Sequence, residues 1–234
     1  MPLRRLEIDL LRTLAIAMMV VYHLAFDLVT FHGWEIDVFT GGWRLFARAT
    51  ATLFLLLVGV SFVLSYQRAD HPPPYRKYAK RALIILGAAY VVSLATFVVD
   101  PETYVRFGIL HLIGTVTFVL PILAPLREGN ILIGSAIIVL SPLLKRTANT
   151  ALLIPLGITP PWFQSVDYFP LFPWAGVILM GVGIGYAVYV RMGLRHSSWE
   201  GTPLLWSIST PGRYALLLYL LHQPVLFSIL AIIF

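Results

Sequence analysis

The chain has no cysteine, which excludes disulfides, thiol nucleophiles and zinc–thiolate centres. It is also poor in charge. Only 12% of its residues are Asp, Glu, Lys or Arg, against about 25% in soluble domains. It carries neither a Walker-type phosphate loop nor a dinucleotide fingerprint, so ATP and NAD chemistry lack a motif. No serine stands in a nucleophile signature. No internal repeat is visible, which disfavours an inverted-repeat transporter. What dominates instead is hydrocarbon: 59% hydrophobic residues and a mean hydropathy of +0.83. The composition predicts an all-α, polytopic integral membrane helical bundle, read as a single domain over 1–234. The lipid bilayer is its first partner. The formal charge of +6 reads as a cytoplasmic excess rather than as a nucleic-acid signal. Neither nucleic acid nor metal is expected.

A bilayer-crossing helix needs about 20 mostly apolar residues. Seven windows meet or approach this, at 10–31, 49–66, 81–99, 107–126, 131–144, 169–190 and 213–234. The fifth is short and contains Pro142, so it reads as tilted, broken or partly spanning. Residues 147–164, with ALLIPLG and PPWF, read as an interfacial loop with room for a short re-entrant helix. The first run is too long for a secretory signal and lacks a small-residue cleavage site, so it reads as a retained helix. Orientation follows from Lys and Arg. Arg4, Arg5, Arg68, Arg76, Lys77, Lys80, Arg81, Arg127, Arg191, Arg195 and Arg213 fall on one side, eleven against the five of Arg44, Arg48, Arg106, Lys145 and Arg146. That places the N-terminus in the cytoplasm and, with seven crossings, the C-terminus outside a plasma membrane.

The first window, DLLRTLAIAMMVVYHLAFDL, carries four ionisable groups where lipid would be the solvent. An ion at the bilayer centre costs roughly 2.5–3.5 kcal/mol on insertion scales. Asp9 precedes Arg12 by three residues, His23 follows it by eleven, and Asp27 follows His23 by four. At 3.6 residues per turn these share one face. The stripe must therefore face protein or water. It reaches about 16 Å from Arg12 to His23 at 1.5 Å per residue. His111 in GILHLIG and His222 in LYLLHQP add imidazoles on other helices, with Gln223 beside the latter and Pro224 expected to kink that helix. His32 stands just past the first window. Each has a structural alternative: interhelical hydrogen bonding for His111 and His222, an end-of-helix ion pair for Arg12 with Asp9, and a plain loop position for His32.

Histidine exchanges protons near neutral pH. His23, four residues from Asp27, suits an oriented general base that activates an incoming hydroxyl or amine, or an imidazole that itself carries the acyl group. Arginine forks suit phosphate oxygens, which makes Arg12 and Arg213 candidates for a phosphate-bearing donor. Two other functions use the same groups: a b-type haem protein with axial histidines, and a proton-coupled transporter with an Asp/His relay.

The segments EIDLLRTLAIAMMVVYHLAFDL, LFLLLVGVSFVLS, GILHLIGTVTF, YFPLFPWAGVILMGVGIGY and GRYALLLYLLHQPVLF resemble the heparan-alpha-glucosaminide N-acetyltransferase catalytic-domain family, and the arginine–histidine spacing is similar to that of membrane acyltransferases more widely. The resemblance implies transfer of an acetyl group from cytoplasmic acetyl-CoA to an extracytoplasmic acceptor, an amino sugar or another glycan. Asp9 and Arg12 match the family's Asp-x-x-Arg. His23 occupies a polar position that is asparagine in the animal branch, and His32 is the nearest match to that branch's loop histidine. Thr13 replaces a common glycine. In this reading Arg12, Asp9 and Arg213 hold the donor, and His23 or His32 is the base with Asp27 orienting His23. His111, His222 and Gln223 line the acceptor side. Apolar surface is general on a lipid-facing bundle, so a homodimer is neither marked nor excluded.

Overall fold

A computed structural model describes residues 5–69, 75–144, 147–193 and 203–234. Arg4, Lys145, Arg146 and Arg195, which entered the orientation argument, lie outside the described residues. The protein is all-α and polytopic. Eight helices are described: α1 Leu6–His32, α2 Gly41–Gln67, α3 Tyr75–Val99, α4 Ile109–Leu123, α5 Gly129–Leu140, α6 Leu171–Gly185, α7 Pro203–Arg213 and α8 Ala215–Ile233. Among the described residues no β-strand forms. Six helical stretches among the described residues are long and apolar enough to cross a membrane, with α4 extended to Leu126 and α6 to Arg191 by short helical turns. The expected fifth span is shorter, Gly129–Leu143 including a 3₁₀ turn. At 1.5 Å per residue it covers about 22 Å, less than the roughly 30 Å hydrocarbon core.

Two expected boundaries moved outward for one reason. α2 starts at Gly41 and α3 at Tyr75, so Arg44, Arg48, Arg76, Lys77, Lys80 and Arg81 sit on helical turns rather than in loops. A hydropathy window ends where charge begins, but a helix continues into the polar interface as long as its backbone bonds are made. Pro224 lies within an uninterrupted α8.

The chain divides into two units, Met1–Leu57 with Arg195–Phe234, and Val58–Leu194. In the first, α1 packs along both α7 and α8. The first part of α2 contributes Phe54, whose ring lies 6.5 Å from that of Tyr219 on α8. The α1–α2 turn is built on Asp37, whose carboxylate accepts from the backbone N–H groups of Phe39 and Thr40 and from the Thr40 hydroxyl. These bonds hold the Asp37 carboxyl below the usual carboxylate range.

In the second unit, α3 pairs with α4 and α5 with α6. Gly134 and Gly176 make the α5–α6 approach: a Cβ on either would meet the carbonyl oxygen of the other. This is the close packing that small residues permit in membranes. The loops around 100–108 and 162–169 are tied by Val166 N–H to Thr103 O (2.8 Å) and Phe169 N–H to Phe107 O (2.9 Å). The Arg106 guanidinium lies 4.2 Å from the Tyr104 ring centroid and donates to Gln164 O. Asp100 accepts from the Glu102 N–H (2.9 Å) and the Thr103 hydroxyl (2.5 Å), and the Thr103 hydroxyl leads the bonds that keep its carboxyl below the usual range.

Candidate functional site

The polar stripe of α1 faces protein. Its partners come from the last 32 residues of the chain, in the same unit. The stripe forms two clusters. At the N-terminal end Asp9 is buried (6% exposed). Its Oδ1 accepts from Arg12 Nη1 at 2.7 Å, and its Oδ2 lies 3.9 Å from Arg213 Nε. One carboxylate thus faces two guanidiniums, one from α1 and one from the last turn of α7. Arg213 also donates to Ser209 Oγ at 3.4 Å, and its Cζ lies 4.5 Å from the Trp206 ring centroid.

Helix α7 reaches this position because Gly212 has no side chain: a Cβ there would run into the Asp9 carbonyl oxygen. Thr13 closes the contact. Its hydroxyl accepts from the Gly212 N–H at 2.9 Å and donates to Asp9 O at 3.1 Å. Thr13 is therefore a tie between two helices.

About three turns further along α1, His23 meets His222 of α8, ring centroids 4.6 Å apart and nearly perpendicular. His23 Nδ1 lies 2.9 Å from Met19 O, and His222 Nδ1 lies 2.6 Å from Tyr219 O. A carbonyl oxygen only accepts, so in each ring Nδ1 carries the hydrogen and the neutral ring keeps its lone pair on Nε2. His222 Nε2 is buried without a hydrogen-bond partner. Two rings in edge contact leave no space for a porphyrin between them, so this pair is not arranged as axial haem ligands.

Asp27 is fully buried (0% exposed). Its Oδ1 accepts from Gln223 Nε2 at 2.6 Å. The carboxylate expected to orient His23 instead accepts this interhelical bond, and the His23 ring is oriented by its own helix backbone. Asp27 Oδ2 and Gln223 Oε1 are buried and unpartnered. Around the imidazole pair, then, three buried acceptor atoms lack a donor, a costly arrangement unless a ligand or water completes it.

The structure treats the remaining histidines differently. His32, at the C-terminal end of α1, lies against the Phe234 ring, centroids 4.5 Å apart. His111 belongs to the second unit. Its Nδ1 accepts from the Gly108 N–H at 3.3 Å, and its Nε2 lies 3.5 Å from Ser93 Oγ, which itself donates to Val105 O at 2.5 Å. It closes the first turn of α4, with Asp167 Oδ2 accepting from Ile109 N–H at 3.1 Å beside it. Both ring nitrogens of His111 are thus engaged in holding a helix start.

Ser209, Gly212 and Trp206 were not expected from sequence, because 191–212 read as a loop. The signal was present: Trp206, Ser209, Thr210 and Arg213 follow the i, i+3, i+4, i+7 spacing of one helix face. Among the described residues no group of histidines and carboxylates is arranged to hold a metal ion.

Neither the curated proteins nor the solved structures gave a match. Residues 4–224 match the family described as heparan-alpha-glucosaminide N-acetyltransferase, catalytic. The match spans the whole of the α1 stripe and runs to Pro224, just past His222 and Gln223. The chain belongs to this family of membrane acetyltransferases.

Proposed function

We propose that the chain moves an acetyl group from cytoplasmic acetyl-CoA to an extracytoplasmic acceptor, an amino sugar or other glycan, with His23 as the general base. The observation that carries this reading is the His23–His222 ring contact next along α1 and α8 to the Asp27–Gln223 bond, with His222 Nε2, Asp27 Oδ2 and Gln223 Oε1 buried and without hydrogen-bond partners. His23 removes the acceptor's proton as its nitrogen or oxygen attacks the thioester carbon. The new C–N or C–O bond forms, the C–S bond breaks, and the proton passes to the CoA sulfur. Arg12 and Arg213, assembled by Asp9, bind the donor's phosphates, for which guanidinium forks are well matched. Gln223 and Asp27 hold the acceptor. His32 is assigned no step, since its ring packs on Phe234, and the site is built without His111, whose nitrogens are already engaged. The excess of basic residues supports a cytoplasmic Asp9 end of α1 in a plasma-membrane protein, which would match a donor made inside the cell.

The test uses purified protein in lipid nanodiscs, acetyl-CoA carrying a labelled acetyl group, and glucosamine as the probe acceptor. The wild type is expected to transfer label and to be thermally stabilised by acetyl-CoA. His23→Ala is expected to keep that stabilisation and lose transfer, while His32→Ala keeps both. Full turnover in His23→Ala would remove His23 from the mechanism. Absence of any acetyl-CoA effect on the wild type would favour a relay in a transporter.

A further inference from the structure

We propose that His222 is a second proton acceptor acting with His23, and that the pair serves an acceptor entering as an ammonium ion; this rests on the acetyl-transfer reading above. Proton accounting supplies the argument. An alcohol acceptor gives up one proton, which ends on the CoA sulfur, so a single base that takes and returns it is enough. An ammonium acceptor carries three. One stays on the amide nitrogen, one goes to the thiolate, and one must leave the site before or as nitrogen attacks carbon. That surplus proton needs its own acceptor.

The geometry supplies one. Both rings bind a backbone carbonyl through Nδ1, so both offer Nε2. The rings are in edge contact at 4.6 Å, and His222 Nε2 is buried with no protein partner. The other groups fit a cationic guest. Asp27 Oδ2 and Gln223 Oε1, both buried and unpartnered, are free to accept a hydrogen bond. Facing His222, α1 contributes His23, with Tyr22 against His23; Asp27, one turn further along α1, is bonded to Gln223. The helix of His222 itself contributes Tyr219, and from α2 the apolar Phe54 lies against Tyr219.

His222→Asn keeps an N–H at the Nδ1 position for the Tyr219 carbonyl and removes the Nε2 lone pair. With acetyl-CoA and glucosamine at neutral pH, kcat is expected to fall at least about tenfold, within the range of a lost acid–base group, with the KM for acetyl-CoA unchanged. The loss should shrink as pH rises and free amine replaces ammonium in solution, because the first deprotonation then precedes binding. A loss that does not vary with pH, or no loss, overturns the proposal while leaving acetyl transfer standing. If acetyl-CoA no longer stabilises either His222→Asn or His222→Gln, His222 belongs to the fold and the proposal also fails. A wild type that transfers no acetyl group to glucosamine overturns this proposal, and with no acetyl-CoA stabilisation the functional reading fails too.

Discussion

Replacing Thr13 by valine tests how α7 is held against α1. The two side chains are nearly the same shape, so the change removes chemistry rather than volume. Two hydrogen bonds disappear: Gly212 N–H to the hydroxyl at 2.9 Å, and the hydroxyl to Asp9 O at 3.1 Å. Each contributes about 0.5–1.5 kcal/mol net. The added methyl returns up to about 0.8 kcal/mol if it is fully buried. The expected loss is about 1–2 kcal/mol, the middle of the resulting range. For a chain of this length 1 kcal/mol corresponds to about 2–4 °C in Tm, so valine should lower Tm by about 2–8 °C. Serine keeps the hydroxyl and should recover most of the loss. Thermal unfolding of detergent-purified protein, followed by fluorescence-detected size exclusion, measures both variants. A valine variant as stable as wild type would refute the idea that this hydroxyl fastens α7 to α1. A serine variant as unstable as valine would point to the methyl instead.

Gln223→Leu removes the donor to a fully buried carboxyl group whose other oxygen, Oδ2, has no hydrogen-bond partner. Denaturant unfolding should show a loss of about 1.5–3 kcal/mol, the range for hydrogen bonds to charged groups. Adding Asp27→Leu should cost less than the sum of the two single changes, and strict additivity would mean that the bond contributes nothing. Gly134→Val drives a side chain into the Gly176 carbonyl across the α5–α6 contact, and a sharp fall in the yield of folded protein is expected. Wild-type yield there would mean that the two helices separate freely. Asp100 has a folded-state pKa below its unfolded value. Its bonds therefore stabilise the protein above the ordinary carboxylate range, and that contribution fades as pH falls through the lowered value. Asp100→Asn should be less stable than wild type at neutral pH and equal to it in strong acid, as read from Tm against pH. A gap that is the same at both ends would assign the effect to something other than the charge.

Composition and helical periodicity were enough to determine the class of protein, the polar face of α1 and the Asp9–Arg12 pair. A helix places residues three, four and eleven apart on one face wherever it sits, so those relations are local. Charge inside an apolar run was enough to require that this face meet protein or water, because lipid solvates no ion. Hydropathy averaging failed at α7, where four polar or aromatic residues on one face of an eleven-residue helix dilute any window long enough to detect a span. Only the tertiary structure decided what the stripe would meet. Arg213, His222 and Gln223 lie about two hundred positions from their partners on α1, and nothing in local spacing selects them. That choice was made by shape: the bare backbone at Gly212 lets α7 touch α1, and α8 then brings His222 and Gln223 to His23 and Asp27. The same packing gave Asp27 an amide partner in place of the imidazole one turn away, because a side chain bonds to whatever donor the neighbouring helix presents.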